Sequence, residues 1–426
     1  MILLIFLGVL LGSLAIGMPV AYALILTGVA MMYQLDFYDP QIVAQNLLNG
    51  ADSFPLMAVP FFILAGAIMN KGGLSQRIVD LALALVGHIK GGLGYVTILA
   101  ACILASLSGS AAADAAALSA LLVPMMMKAG HSKALSGGLV ASSGIIALVI
   151  PPSIGLVLIG VTGNISITGL FMAGIVPGVL MGLSLSVAWW LVSHKESVKP
   201  MPKVPASDVR KTLIKSIWAL MLPVIIIVGL RFGVFTPTEA GVVAAVYALF
   251  VATCVYRELR LKHLYRVFLE SATMTATVMF LVAAALVSGW MITIAGLPAQ
   301  VTALVAPFSD SPTLLMAIIM GLLLIIGMGM DMIPIVLILL PVLLPSVIAA
   351  GIDPVYFGVM FMLVCSIGLI TPPVGAVLNV VAGVTGTRMV DLIKGVWPFL
   401  LAQTLLMILM ILFPGIIMMP YKWLMG

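Results

Sequence analysis

The residues able to do chemistry in this chain sit inside apolar sequence. Ser106, Ser108, Gly109 and Ser110 interrupt the stretch ASLSGSAAADAAALSALLVP, and Asp114 follows one helical turn later. A second interruption, GMGMDMIPIVLILLP, begins at Gly327 and carries Asp331. Glycine and clustered hydroxyls favour broken backbone, and free N–H and C=O groups are costly in hydrocarbon, so each polar tip must lie within protein, against water or an ion. The interval from Asp114 to Pro124 equals that from Asp331 to Pro341, so the two stretches superpose on acid and proline without a gap.

Each tip is followed by a proline pair, Pro151-Pro152 and Pro372-Pro373. Proline removes a backbone donor and restrains the residue before it, so a helix crossing there must break. A break halfway through a membrane frees carbonyl oxygens, and the hydroxyls of Ser108, Ser110 and Thr371 add hard oxygen ligands. That set suits Na⁺ without a carboxylate in direct contact. Proline kinks and glycine packing are common in membrane helices and would explain one such site. Two in symmetric positions, each after a polar tip, favour the ion site. Asp114 and Asp331 have two readings of equal standing: each caps its hairpin's second helix and shapes the tip, or each contacts substrate. A pair of intramembrane aspartates also suggests a protease, but Met330 interrupts the Gly-x-Gly-Asp run such a site would need, and the symmetric tips would stay unexplained. Glu239 lies by the turn at Pro237, and the four histidines sit at basic edges without metal-ligand spacing.

Composition names the setting of these residues. With 63% hydrophobic and 8% charged residues and a mean hydropathy of +1.30, the chain has too little polar surface for a soluble globule. It reads as an integral membrane protein. Cys102, Cys254 and Cys365 stand singly in apolar runs and read as buried thiols. The opening MILLIFLGVLLGSLAIGMPVAYAL lacks a basic n-region and is taken as the first span instead of a cleaved leader. The net charge of +5 marks cytoplasmic edges; the interleaved aromatic and basic pattern of a nucleic-acid binder is missing.

Runs of Lys and Arg set the topology, and the apolar stretches divide into two halves. The first, 1–193, holds scaffold helices over 1–70, an interfacial arm over 74–90, a re-entrant hairpin over 93–127, a broken helix over 135–163 and a helix over 168–193. A cytoplasmic linker, 194–215, carries Lys195, Lys199, Lys203, Arg210, Lys211 and Lys215. The second half, 216–426, repeats the order with scaffold helices over 216–294 (including an arm over 257–268), a hairpin over 311–349 flanked by Asp310 and Asp353, a broken helix over 355–383 and a helix over 395–419. About ten crossings and two hairpins result, with both termini outside. An odd number of crossings per half inverts the repeats, and the fold class is an all-α polytopic membrane protein, an inverted-repeat transporter with two re-entrant hairpins and two broken helices. Binding is expected at the midplane between the repeats. An ion channel would instead need a continuous polar lining along its spans.

Several segments together resemble the large membrane subunit, the DctM type, of the tripartite ATP-independent periplasmic (TRAP) transporters. They are PLMAVPFFILAG (Pro55 to Gly66), SGSAAADAAA (Ser108 to Ala117), IIALVIPPSIGLVLIG (Ile145 to Gly160), GVFTPTEAGVVAAVYAL (Gly233 to Leu249), MDMIPIVLILLPVLLP (Met330 to Pro345) and IGLITPPVGAVLNVVAGV (Ile367 to Val384). The resemblance implies an elevator mechanism in a bacterial inner membrane and coupling to Na⁺. It also implies a small four-helix membrane subunit (DctQ type) and a periplasmic binding protein (DctP type) that delivers an organic acid anion such as a sialic acid, a C4-dicarboxylate or a sugar acid. One Na⁺ site would use Ser106, Ser108, Gly109 and Ser110 with the backbone around Ser143, Gly144 and Pro151. The other would use Gly327 with Gly368, Thr371 and Val374, and the substrate would lie near Ser110, Asp114, Ser153 and Asp331. The small subunit is expected to be a separate chain. The rival within this architecture is a stand-alone Na⁺/dicarboxylate symporter that needs no binding protein.

Overall fold

The computed structural model describes residues 2–194, 198, 201–308 and 311–426, so Lys195, Lys199 and Asp310 lie outside the described residues. The described residues are helical and turn segments, with no strand among them. The first half runs α1 (Ile2–Ala15), α2 (Val20–Gln34), α3 (Pro40–Ala51), α4 (Ala58–Lys71), α5 (Leu74–Val86), α6 (Gly92–Ser108), α7 (Ala111–Lys128), α8 (Lys133–Gly144), α9 (Ile154–Thr162) and α10 (Ile167–Ser193). The second runs α11 (Ala206–Arg231), α12 (Pro237–Phe250), α13 (Leu261–Ile294), α14 (Leu297–Val305), α15 (Pro312–Gly327), α16 (Met332–Ala349), α17 (Pro354–Gly368), α18 (Ala376–Thr385), α19 (Met389–Leu412) and α20 (Gly415–Met425).

From the second hairpin arms to the proline pairs the two halves match without a gap. Residues 111 and 332 open the second arms of the hairpins, 128 and 349 close them, 133 and 354 open the broken helices, and 151 and 372 begin the proline pairs. Every one of these pairs differs by 221. The acid-and-proline superposition read from sequence, with its interval of 217, is therefore one helical turn out of register. Asp114 matches Ile335, Ser110 matches Asp331, and Pro124 matches Pro345. Contacts between the halves are reciprocal: α7 packs on α18 while α16 packs on α9, and α4 packs on α12 while α13 packs on α2.

The broken helices form the central axis. From Leu135 to Gly144 in α8, from Ile154 to Gly160 in α9 and from Val355 to Gly368 in α17, every residue is buried. Close approach here depends on small residues, as membrane packing generally does. A side chain at Gly138 of α8 would collide with the backbone of Gly395 in α19. Around this axis stands a scaffold of α1 to α4 and α11 to α13. Helix α5 buries its apolar face against α6 and α11, and is held there by Arg77, which pairs with Glu258 at 2.7 Å and lies 3.7 Å over the Tyr256 ring.

Several boundaries differ from expectation for visible reasons. The linker is shorter than 194–215, because α11 starts at Ala206 with Asp208 in its first turn, where a helix N-terminus favours a carboxylate. The arm expected over 257–268 has no helix of its own. After a π turn at Val251–Val255 the chain enters α13, one helix of 34 residues that absorbs both arm and span. At 1.5 Å per residue it is about 51 Å long, against a hydrocarbon core of about 30 Å. The helix expected over 395–419 stops at Leu412, where Phe413 and Pro414 separate it from α20. Helix α3, opened by Asp39 accepting the Gln41 N–H at 2.8 Å, and helix α14 were both absent from the sequence reading.

Candidate ion and substrate site

The first polar tip is narrower than expected. Ser106 and Ser108 belong to the last turn of α6, and only Gly109 and Ser110 separate it from α7. Ser106 donates to the Ile103 carbonyl at 2.6 Å, a bond within its own helix that lets a hydroxyl sit in a helical turn. Gly109 has φ +60, and a side chain on it would stand 3.1 Å from the Pro152 carbonyl oxygen, so both conformation and space require glycine. The tip thereby rests its backbone on the first break. Ser110 accepts from the Ala113 N–H at 3.5 Å, and its own N–H donates to Ser108 Oγ at 3.2 Å.

The break itself is built from α8, a 3₁₀ turn at Ile145–Leu148, the cis pair Pro151-Pro152 and the start of α9. Ser153 is fully buried, donates to the Leu148 carbonyl at 2.6 Å and caps α9 by accepting from the Leu156 N–H at 3.4 Å. A side chain at Gly144 would meet the Ala115 methyl at 2.8 Å and the Ala111 carbonyl at 3.1 Å, so α8 ends against the first turn of α7. Asp114 lies on that turn, 2% exposed, and its Oδ2 has no hydrogen-bond partner. The buried hydroxyls of Ser142, Ser143 and Ser119 on the same two helices also lack one. An unpartnered buried carboxylate oxygen is costly, and a cation among these oxygens would offset that cost.

At the second tip α15 ends at Gly327 and α16 begins at Met332. Gly327 packs directly on the second break: a side chain on it would stand 3.2 Å from the Gly368 Cα. The Gly375 N–H donates to the Met328 carbonyl at 3.4 Å, tying tip to break across the gap. Thr371 Oγ1 donates to the Ile367 carbonyl at 2.7 Å, and the Val374 carbonyl accepts from Asn379 Nδ2 at 3.1 Å. Gly327, Gly368, Thr371 and Val374 thus share one loop system. Asp331 is exposed and caps α16 by accepting the Met332 N–H at 2.8 Å. The halves meet beside it, since a side chain at Gly155 of α9 would lie 3.3 Å from Met332 Sδ.

A cavity of about 240 Å³ opens between the first tip and the scaffold, lined by Ser108, Ser110 and Ile154 on one side and Gly66, Lys71 and Ser271 on the other. Of the four residues expected near substrate, Ser110 lines this cavity and Asp114 and Ser153 are buried. Asp331 is not among its lining residues. A second cavity of about 550 Å³ separates Trp290 and Thr293 of α13 from Thr162 of α9 and Pro341 of α16. Sequence reading missed Asn379, Ser142, Ser119 and the scaffold residues of the first cavity. Asn379 was detectable as a lone amide in the apolar run AVLNVVAG; Gly66 and Ser271 carried no signal beyond ordinary helix packing.

Residues 7–416 match the family described as tripartite ATP-independent periplasmic transporter, DctM component. The 2,3-diketo-L-gulonate TRAP transporter large permease protein YiaN of Escherichia coli (strain K12) is 56% identical over 99% of this chain and 100% of its own length. The sialic acid TRAP transporter large permease protein SiaM of Vibrio cholerae is 40% identical, covering 95% of each chain, and the C4-dicarboxylate protein DctM of Pseudomonas aeruginosa is 37% identical, covering 90% of each. Among solved structures, the Alcanivorax borkumensis YdaH transporter shares the fold, with a TM-score of 0.62 at 16% identity over 90% of this chain and 88% of that one.

Proposed function

Because the chain belongs to the DctM-component family of tripartite ATP-independent periplasmic transporters, we propose that it is the membrane subunit through which Na⁺ drives uptake of an organic acid anion. Within that class a sugar acid is the reading favoured by the full-length relative whose name carries 2,3-diketo-L-gulonate. A periplasmic binding protein delivers the anion, a small four-helix subunit braces the scaffold, and both termini face the periplasm of a bacterial inner membrane.

The observation that carries the ion coupling is the group of buried oxygens left without partners, Asp114 Oδ2 with Ser142 and Ser143 Oγ, where α8 ends on α7 beside the first break. Na⁺ joins this group and the Ser108 hydroxyl on one side, and the Thr371 hydroxyl with the carbonyls around Gly368, Thr371 and Val374 on the other, as a transported co-substrate. The anion sits at Ser108 and Ser110, in the cavity between tip and scaffold. The core of hairpins and broken helices then moves as one body along the scaffold. The close approach of Gly66 to the tip supports such a sliding seam: a side chain on Gly66 would stand 3.3 Å from the Ser108 Cα.

Proteoliposomes holding the chain and its small subunit test the proposal. With the cognate binding protein outside, an inward Na⁺ gradient drives uptake of 2,3-diketo-L-gulonate or another sugar acid, and a K⁺ gradient does not. Uptake indifferent to Na⁺ defeats the coupling, and uptake by this chain alone supports the stand-alone symporter instead.

A further inference from the structure

Neither tip carries a cationic side chain, although the proposed cargo is an anion. The cavity that meets the first tip has one, Lys71, at the end of α4. Lys71 Nζ is 3.9 Å from Glu270 Oε2, too long for a firm hydrogen bond. Glu270 is held from its other side, where Arg266 Nε approaches Oε1 at 3.0 Å. The carboxylate is thus shared unequally, and Lys71 is the looser partner.

Two neighbours complete the arrangement. Ser271 lines the same cavity, is 6% exposed, and its Oγ has no hydrogen-bond partner. Asn70 lines it too, and accepts from Ser75 Oγ at 2.7 Å, which commits its amide oxygen and leaves the NH₂ end as donor. A lysine, a hydroxyl and an amide donor around one small space are what a carboxylate binds.

Resting on the transport reading above, we propose that Lys71, Ser271 and Asn70 form a carboxylate-binding step on the scaffold, facing the first tip. The anion leaving Ser108 and Ser110 displaces Glu270 from Lys71, and Glu270 keeps its bond to Arg266. No proton moves; one weak ion pair replaces another. The step lies on α4 and α13, so it acts only while the first tip stands against those two helices.

Binding of 2,3-diketo-L-gulonate, N-acetylneuraminate and succinate to the full chain in nanodiscs at saturating Na⁺ tests this by calorimetry. Lys71→Gln weakens the bound anion about fivefold to tenfold, and Lys71→Arg stays within about twofold of the parent. Glu270→Gln tightens binding about twofold, because the competitor is gone. The Na⁺ concentration for half-saturation stays unchanged in all three, which a folding defect would not allow. Parent-like binding by Lys71→Gln, or weakened binding by Glu270→Gln, overturns this step while leaving Na⁺-dependent anion binding in place. If the parent chain binds Na⁺ but none of the three anions, the organic-acid reading falls and this step with it.

Discussion

Ser110 and Asp331 stand at the same place in the two halves, each one residue before its hairpin's second arm and each accepting an N–H from that arm's first turn. A hydroxyl on one tip answers a carboxylate on the other. The first half carries its acid one turn deeper, at Asp114, where the second half has Ile335. The two halves therefore share a backbone plan but divide the polar chemistry unequally.

Asp331→Asn separates capping from charge. Asparagine caps as well as aspartate, so stability stays within about 0.5 kcal/mol of the parent. Substrate affinity falls if the charge orients the anion's hydroxyls, read from uptake at graded substrate. An unchanged KM with unchanged stability assigns Asp331 to capping alone.

Asp114→Asn acts in the opposite sense on stability. Removing a buried charge with an unpartnered oxygen raises the melting temperature of the Na⁺-free chain, because the desolvation cost disappears. The stabilisation that Na⁺ gives the parent is lost in the variant, since binding to the folded state alone is what produces it. A melting curve with and without Na⁺ reads both effects, and a Na⁺ shift equal to that of the parent removes Asp114 from the ion site.

Ser108→Ala combined with Thr371→Ala takes one hydroxyl from the first tip and one from the second break. Membrane insertion is unaffected, because both hydroxyls bond only within their own neighbourhoods. The Na⁺ concentration for half-maximal uptake rises about tenfold, a loss of roughly 1.4 kcal/mol. An unchanged Na⁺ dependence would falsify the ligand assignment.

Gly368→Ala places a methyl 2.8 Å from the Gly327 backbone. Neither partner is a flexible side chain, so tip and break must separate, at about 1–3 kcal/mol. The variant reaches the membrane, melts earlier and transports poorly. Gly321→Ala in α15, the hairpin arm that ends at Gly327, meets nothing within 4 Å and serves as the matched control.

The breaks, the tips and their order in the two halves were legible in sequence because glycine, serine and proline act on the backbone locally, whatever surrounds them. The register was not. Asp114, Pro124, Asp331 and Pro341 offer a coincidence of spacing, and only the helix starts at Ala111 and Met332 show that the caps, and not the acids, correspond. Ser106 and Ser108 read as broken backbone, yet Ser106 satisfies its hydroxyl on Ile103 and the helix continues. The cavity facing the first tip was invisible for a different reason. Gly66, Lys71 and Ser271 belong to helices distant in sequence, and no local pattern announces a surface made by their meeting.

Helix α13 carries Ser271 near one end and Trp290 near the other, so both cavities lean on a single rod. The two residues are separated by about 28 Å along its axis, a distance no rearrangement of the hairpins can alter. Both openings are thus framed by one continuous helix. Removing one turn of α13 between Ser271 and Trp290 would bring the two openings about 5 Å closer while leaving the residues of each intact.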